Sequence, residues 1–350
     1  MMKDMTMKQF IMKVLNGTAI GIVVGLIPNA VLGGLFGYLE QFNPVFGILR
    51  QICVDIQWLV APMIGFLVGL QFGFNPMKSA IIMSATWIAS GALVRVDGVL
   101  KIGLGDLINV MLIAGIAAYV TMLLGEKLGS LTIVLQPIIV GVGVGFLGLL
   151  MLPYVKHIST TIGYGINSFT TLQPILMCIL IAMSFSILIV SPISTVAIGI
   201  AIGLSGLASG SANIGVSATA AVLVIGSWAV NKAGVTIAVG MGGMKMMMPN
   251  IVKNPIMILP ILTTSSISGL VVRILGITGD KVSSGFGFVG LVGPIKAMSD
   301  YAVNGITGLK ALTFVIIAYF VVPFGVALIS HIVYTKVLKV YKAEIYKFEN

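Results

Sequence analysis

The chain is short of charge, shorter still of acid, and nearly without cysteine, and each shortage excludes a class of protein. Charged residues make up 9% of its 350 residues, whereas a water-soluble surface needs roughly a quarter. With 58% of residues hydrophobic, the chain cannot cover itself in water and must be solvated by lipid. Ten carboxylates over the whole length leave little room for a carboxylate-based active site. The two cysteines, Cys53 and Cys178, lie in apolar stretches. They are too few for a disulfide framework and lack metal-ligand spacing, so buried free thiols are expected. There is no Walker loop, no His-Glu-x-x-His, no cysteine pair and no Gly-x-Ser-x-Gly elbow, so no cofactor or metal is expected. The net charge of +10 is carried by Lys and Arg spread singly, which argues against nucleic acid as a partner.

What remains is apolar sequence in membrane-length runs. A helical crossing needs roughly 20 mostly apolar residues. On that ruler, spans are expected near 18–39, 47–70, 76–94, 107–125, 131–152, 172–191, 194–209, 213–231, 255–275 and 311–333. The fold class is therefore an all-α polytopic membrane protein of about ten transmembrane helices, with re-entrant hairpins or broken helices in the second half. Lysines cluster near both ends, at Lys3, Lys8 and Lys13 and at Lys336, Lys339, Lys342 and Lys347. Excess Lys and Arg mark the cytoplasmic side, so both termini are expected there, in a multi-pass protein of the cell membrane. The first apolar run continues into the protein instead of ending at a small-residue cleavage site, so no signal peptide is expected.

Four parts follow: an interfacial amphipathic helix over 1–16, a scaffold and dimerisation half over 17–171, a transport half over 172–333, and a basic tail over 334–350. Aromatics among the lysines of that tail favour contact with the membrane interface over a solvated tail. The Asp97-Gly98 step between alternating apolar residues fits a short hairpin or a plain loop. Residues 153–171, with His157, read as a connection carrying an amphipathic helix. The octet Ala19–Leu26 recurs in similar form at Ala197–Leu204, which is either an internal repeat or the small alphabet of apolar helices. The glycines at 141–148 fit close helix contacts, between subunits or within one.

Three polar breaks interrupt the second half. The stretch 205–217 sets small hydroxyls, Ser211 among them, and Asn213 between apolar runs, as a helix break or as tight packing with a turn. Residues 240–255 combine Lys245, Asn250 and Asn254 with Pro249 and Pro255 and with methionines suited to core filling. A charge at membrane depth needs a cavity or a partner, so this stretch lines a cavity or else is a cytoplasmic loop marked by Lys245 and Lys253. Residues 281–296, with Ser283, Ser284 and Lys296, are too glycine-rich for a stable lone helix and too apolar for a free loop. Asn213, Asn250 and Asn254 offer neutral hydrogen bonds suited to hydroxyls, and Lys245 a charge-assisted one. Ser211, Asn213, Lys245, Asn250, Asn254, Ser283, Ser284 and Lys296 are the candidate solute-binding residues, with no catalytic residue among them.

These stretches carry a resemblance. Ser191-Pro192-Ile193-Ser194-Thr195 through Gly206-Leu207-Ala208-Ser209-Gly210-Ser211-Ala212-Asn213-Ile214-Gly215 is similar to the membrane subunit IIC of bacterial phosphotransferase systems. Met248-Pro249-Asn250-Ile251-Val252-Lys253-Asn254-Pro255 and Gly290-Leu291-Val292-Gly293-Pro294 fit its small stand-alone branch, which includes the perfringolysin-regulator-like proteins. The resemblance implies a dimeric carrier of a small polar solute, a sugar or a related compound, with two re-entrant hairpins and separate phosphoryl-donor subunits IIA and IIB. It departs at one point: sugar subunits of this kind use a hairpin glutamate to hold and deprotonate the sugar hydroxyl, but no acid occurs here between Glu126 and Asp280. A carrier of an anionic solute without phosphoryl transfer, pairing it with Lys245 or Lys296, and a membrane-bound solute sensor are the alternatives.

Overall fold

The structure, a computed structural model, describes residues 5–97, 99–125 and 127–348. Lys3, Gly98 of the Asp-Gly step and Glu126 lie outside the described residues. The chain forms two compact units, one from Met1–Asn29 and Gly47–Ile158, the other from Ala30–Phe46 and Ser159–Asn350.

In the first unit, helices begin where their caps stand. Thr6 and Gln9 form a reciprocal capping box at the start of Met7–Pro28, and Asn75 caps Pro76–Ala89 through Lys78 N at 2.9 Å. Residues 7–16 do not form a separate interfacial helix. They run without a break into Met7–Pro28, with Met7 and Ile11 exposed and Val14 and Leu15 buried. Nothing between them and the first span stops a helix, because Asn16 and Gly17 only weaken one.

Gly17, Gly21 and Gly25 share one face of that helix, and a Cβ on Gly21 would lie 2.7 Å from the Cα of Ile64. Small residues let two apolar helices approach to backbone contact, the packing that lipid-solvated proteins rely on. Val60, Ile64 and Val68 face this glycine stripe and belong to a core shared with Ile82, Ala85, Val110 and Ala114. Gly145 and Gly148 meet Ala85, Ile88, Ala89 and Ile113 of the same unit, so they serve contacts within one subunit. Asn109, fully buried, donates to the carbonyls of Ala89 and Gly148 at 2.7 and 2.9 Å. Leu93–Val96 and Val99–Ile102 pair antiparallel, so of the two readings of the Asp-Gly step the hairpin is correct.

The second unit is built around Gly206–Ser227, which is buried along almost its whole length. Pro174–Leu188, Ile258–Leu275 and Val322–Ile332 pack against it. Of the two readings of 205–217, tight packing with a turn holds: Ser205 ends the turn as N-cap and 206–217 lie in this one continuous helix. Ser, Gly and Asn weaken a helix in water, but in a buried setting the helix alone satisfies every backbone group. The chain is interrupted earlier, at Ser191–Ser194 and again at Ile202–Ser205, around the short helix Thr195–Ala201. Consequently the two similar octets differ in form: 19–26 is continuous helix, whereas 197–204 leaves the helix at Ile202 and turns at Gly203 with φ +63°.

Among the described residues, six helices are long and apolar enough to cross a membrane: Met7–Leu39, Leu107–Leu124, Thr132–Thr171, Gly206–Ser227, Pro255–Leu275 and Gly308–Val337. The bent pair Pro44–Trp58 and Val60–Gln71 raises the number to seven if counted as one span. Ten runs were expected because a hydropathy ruler counts apolar length without regard to bends. Pro174–Leu188, at 15 residues, extends only about 22 Å at 1.5 Å per residue. Residues 153–168, expected as part of a connection, instead complete the long helix Gly145–Ser168. Cys53 and Cys178 are buried free thiols, as expected.

The glycine stripe is open to test. Replacing Gly21 by Val forces the two helices apart and is expected to cost roughly 1–3 kcal/mol. Thermal unfolding in detergent should fall accordingly, while the same change at Gly141, which has open space around its Cβ position, should have little effect.

Candidate functional site

The two interruptions between Leu188 and Gly206 collect the polar side chains of the second unit. At the first, Ser191 Oγ donates to Leu188 O at 2.7 Å and accepts from Ile193 N at 3.1 Å, turning the chain at Pro192. Its outward carbonyls are claimed from elsewhere in the sequence: Lys245 Nζ donates to Ser191 O and, at 2.8 Å, to Ile193 O. Lys245 sits in the turn Gly243–Met247 between Met244 and Met247, and all three are buried. The methionines fill core, and the ammonium takes the place of the helical N–H groups that these carbonyls lack.

At the start of the short helix, Thr195 Oγ1 donates to Gly285 O at 2.9 Å. A Cβ on Gly199 would collide with the Ser284 hydroxyl. The stretches 191–195, 240–255 and 281–296 are thus brought together. Residues 205–217 join them along one face of Gly206–Ser227, with polar side chains four apart. Ser209 Oγ donates to Asp280 O at 2.7 Å, and Asn213 Oδ1 accepts from Gly287 N at 3.2 Å. Asn213 Nδ2 and the Tyr319 hydroxyl are both buried here without a hydrogen-bond partner.

The other candidate residues are held by local bonds. Ser211 Oγ donates to Leu207 O of its own helix at 2.7 Å. Ser283 Oγ accepts from Asp280 N at 3.0 Å, and Ser284 Oγ donates to Lys281 O at 3.1 Å. Asn250 Nδ2 donates to Ile345 O at 2.9 Å and Lys347 O at 2.7 Å, away from the 281–296 stretch. Asn254 ends the helix Met248–Lys253.

Lys296 bridges two carboxylates, Asp300 at 2.7 Å and Asp280 at 3.5 Å, and Thr278 Oγ1 donates to Asp300 Oδ2 at 2.9 Å. Burial works against the Asp280 carboxylate, but hydrogen bonds from Ser283 and the charge of Lys296 hold it below its ordinary value. The hydrogen bond to Asp300 raises Lys296.

None of the eight candidate residues lines the cavity at the second interruption. A cavity of about 340 Å³ at the second interruption is lined by Asn167, Thr170, Met177, Ile202–Ser205, Leu207 and Ala208. It falls within the size range of small-molecule sites. Asn167 and Thr170 were not singled out in the sequence, where 153–171 reads as a connection. The one signal was the Gly203-Leu204-Ser205-Gly206 run, in which both glycines take positive φ.

The chain matches the family described as Phosphotransferase system, EIIC, over residues 12–348. It belongs to that family, and with its apolar helices it is a membrane carrier of the phosphotransferase type. No curated protein and no solved structure gives a significant match.

Two outcomes follow from these contacts. Lys245→Met leaves two buried carbonyls without a donor and should lower stability by about 1–3 kcal/mol for each one, read as a lowered midpoint of thermal unfolding. Asp280→Asn keeps the acceptor oxygen but removes the charge. Because the folded carboxyl is depressed, its contribution is present above the unfolded value and is lost as pH falls through the folded one. The small stability gap between parent and Asp280→Asn should hold at neutral pH and close below about pH 4.

Proposed function

We propose that this chain is the solute-conducting subunit of a phosphotransferase-type system, moving a small neutral polyol or sugar by alternating access. The observation that carries this reading is the 340 Å³ cavity at a double interruption of the chain. Carriers place solute where discontinuous helices present polar backbone groups. Its polar side chains, Asn167, Thr170 and Ser205, are uncharged, which suits hydroxyl groups. The two lysines that would draw an anion are engaged, Lys245 by backbone carbonyls and Lys296 by two carboxylates, which favours a neutral solute.

Phosphoryl transfer, in this reading, is performed by separate IIA and IIB proteins. With no acid between Glu126 and Asp280, solute binding does not rest on a carboxylate base in 240–255. The functional assembly is a homodimer. Both termini lie in the cytoplasm, as the terminal lysine clusters favour, which requires an even number of crossings. The neighbouring interrupted segments 191–195, 240–255 and 281–296 would supply the re-entrant elements, and Lys245, Asn213 and their neighbours the shell that shapes the cavity.

The test is a thermal-shift screen of the purified protein against sugars, polyols, sugar phosphates and organic anions, since bound solute raises apparent stability. A neutral sugar or polyol should stabilise the parent, and Asn167→Ala with Thr170→Val should abolish the shift without changing the unliganded midpoint. Stabilisation by organic anions alone would remove the neutral-solute reading. For topology, cysteines placed at Lys8 and Lys347 should resist an impermeant thiol reagent in intact cells and react after lysis.

A further inference from the structure

The basic tail expected at the membrane interface is instead threaded back into the second unit. Its chain turns at Lys339, a non-glycine residue with φ +50°, a conformation that side chains adopt only at some cost. From there Tyr341 and Tyr346 enter the protein and are buried, while Lys336, Lys339, Lys342 and Lys347 remain exposed.

Two asparagines from different segments then hold four consecutive residues by their backbone alone. Asn250 donates to Ile345 O and Lys347 O. Asn231 donates to Tyr346 O and accepts from Phe348 N, each at 2.7 Å. The Tyr346 ring lies against Gly226, where a Cβ would stand 2.6 Å from ring carbons. It also meets the rings of His331 and Tyr341 at 6.1 and 6.0 Å.

We propose that residues 338–348 are a conformational latch: docked, they fix the segment Gly243–Asn254 that delivers Lys245 to the Ser191–Ile193 interruption, and undocked, they release it. Asn250 is the mechanical link, because it lies on Met248–Lys253, directly after the turn that carries Lys245. The strap is suited to release as one piece. It contains no long helix, it departs from a strained hinge, and among the described residues the backbone of 345–348 is gripped from outside by two side chains alone, Asn231 and Asn250, so few bonds need to part together. Undocking also frees the Asn250 amide and opens the Gly226 face. The latch stands independently of the solute assigned above.

Hydrogen exchange read by mass spectrometry on the full chain in lipid nanodiscs tests it without any ligand. Gly226→Ala evicts Tyr346 without touching 243–254, and Tyr346→Ala removes the ring without introducing a clash, so at least one variant should remain folded. In either, exchange should rise on the order of tenfold over 343–348 and equally over 243–254, while Leu107–Leu124 of the other unit keeps its parent rate. Asn231→Ala should reproduce the pattern at lower amplitude. If 343–348 exchanges faster while 243–254 keeps the parent rate, the strap is a passenger and the latch is wrong. Loss of protection everywhere in both variants would also overturn it, since the strap would then be a core element and no latch.

Discussion

A single buried ammonium group organises the second unit. Lys245 supplies the donor for two carbonyls that the chain exposes when it turns at Pro192. Without such a donor the interruption would hold unsatisfied carbonyls in an apolar surround, which costs more than an ordinary hydrogen bond returns. With it, the chain can leave one helix, form the short Thr195–Ala201, and leave again at Gly203. The lysine is therefore a structural donor, positioned by one interrupted segment in order to complete another.

The two units solve the same solvation problem differently. The first brings helices to backbone contact through Gly17, Gly21 and Gly25, and its buried Asn109 bridges Ala89 and Gly148. The second tolerates irregular backbone and answers each exposed group with a side chain: Thr195 for Gly285, Ser209 for Asp280, Asn213 for Gly287, Lys245 for Ser191 and Ile193. Irregular backbone in an apolar surround survives only under such pairing.

The membrane class and the place of the irregular half were legible because both follow from the sequence: scarce charge, long apolar runs, and the polar breaks at 205–217, 240–255 and 281–296. The continuity of Gly206–Ser227 was not, since Ser209-Gly210-Ser211 carries the local signals of a turn and only burial reverses them. Nor were the partners. Lys245 meets carbonyls more than fifty positions earlier and Asn250 meets carbonyls more than ninety positions later. Neither spacing leaves a periodic trace. Lys245 and Asn250 were singled out for their polarity in an apolar stretch, and that signal was sound, but it does not say whether a polar group faces a solute or the protein's own backbone.

The way the strap is gripped bears on how this family can drift. Asn231 and Asn250 touch only main-chain atoms of residues 345–348, so most side chains there are invisible to the groups that hold them. Mutation can exchange the exposed Lys347 while the grip persists. Position 346 is different, because its aromatic ring fits only where residue 226 has no side chain. The two positions are sterically coupled: a methyl at 226 occupies the space of the tyrosine ring, so each residue sets what the other can be.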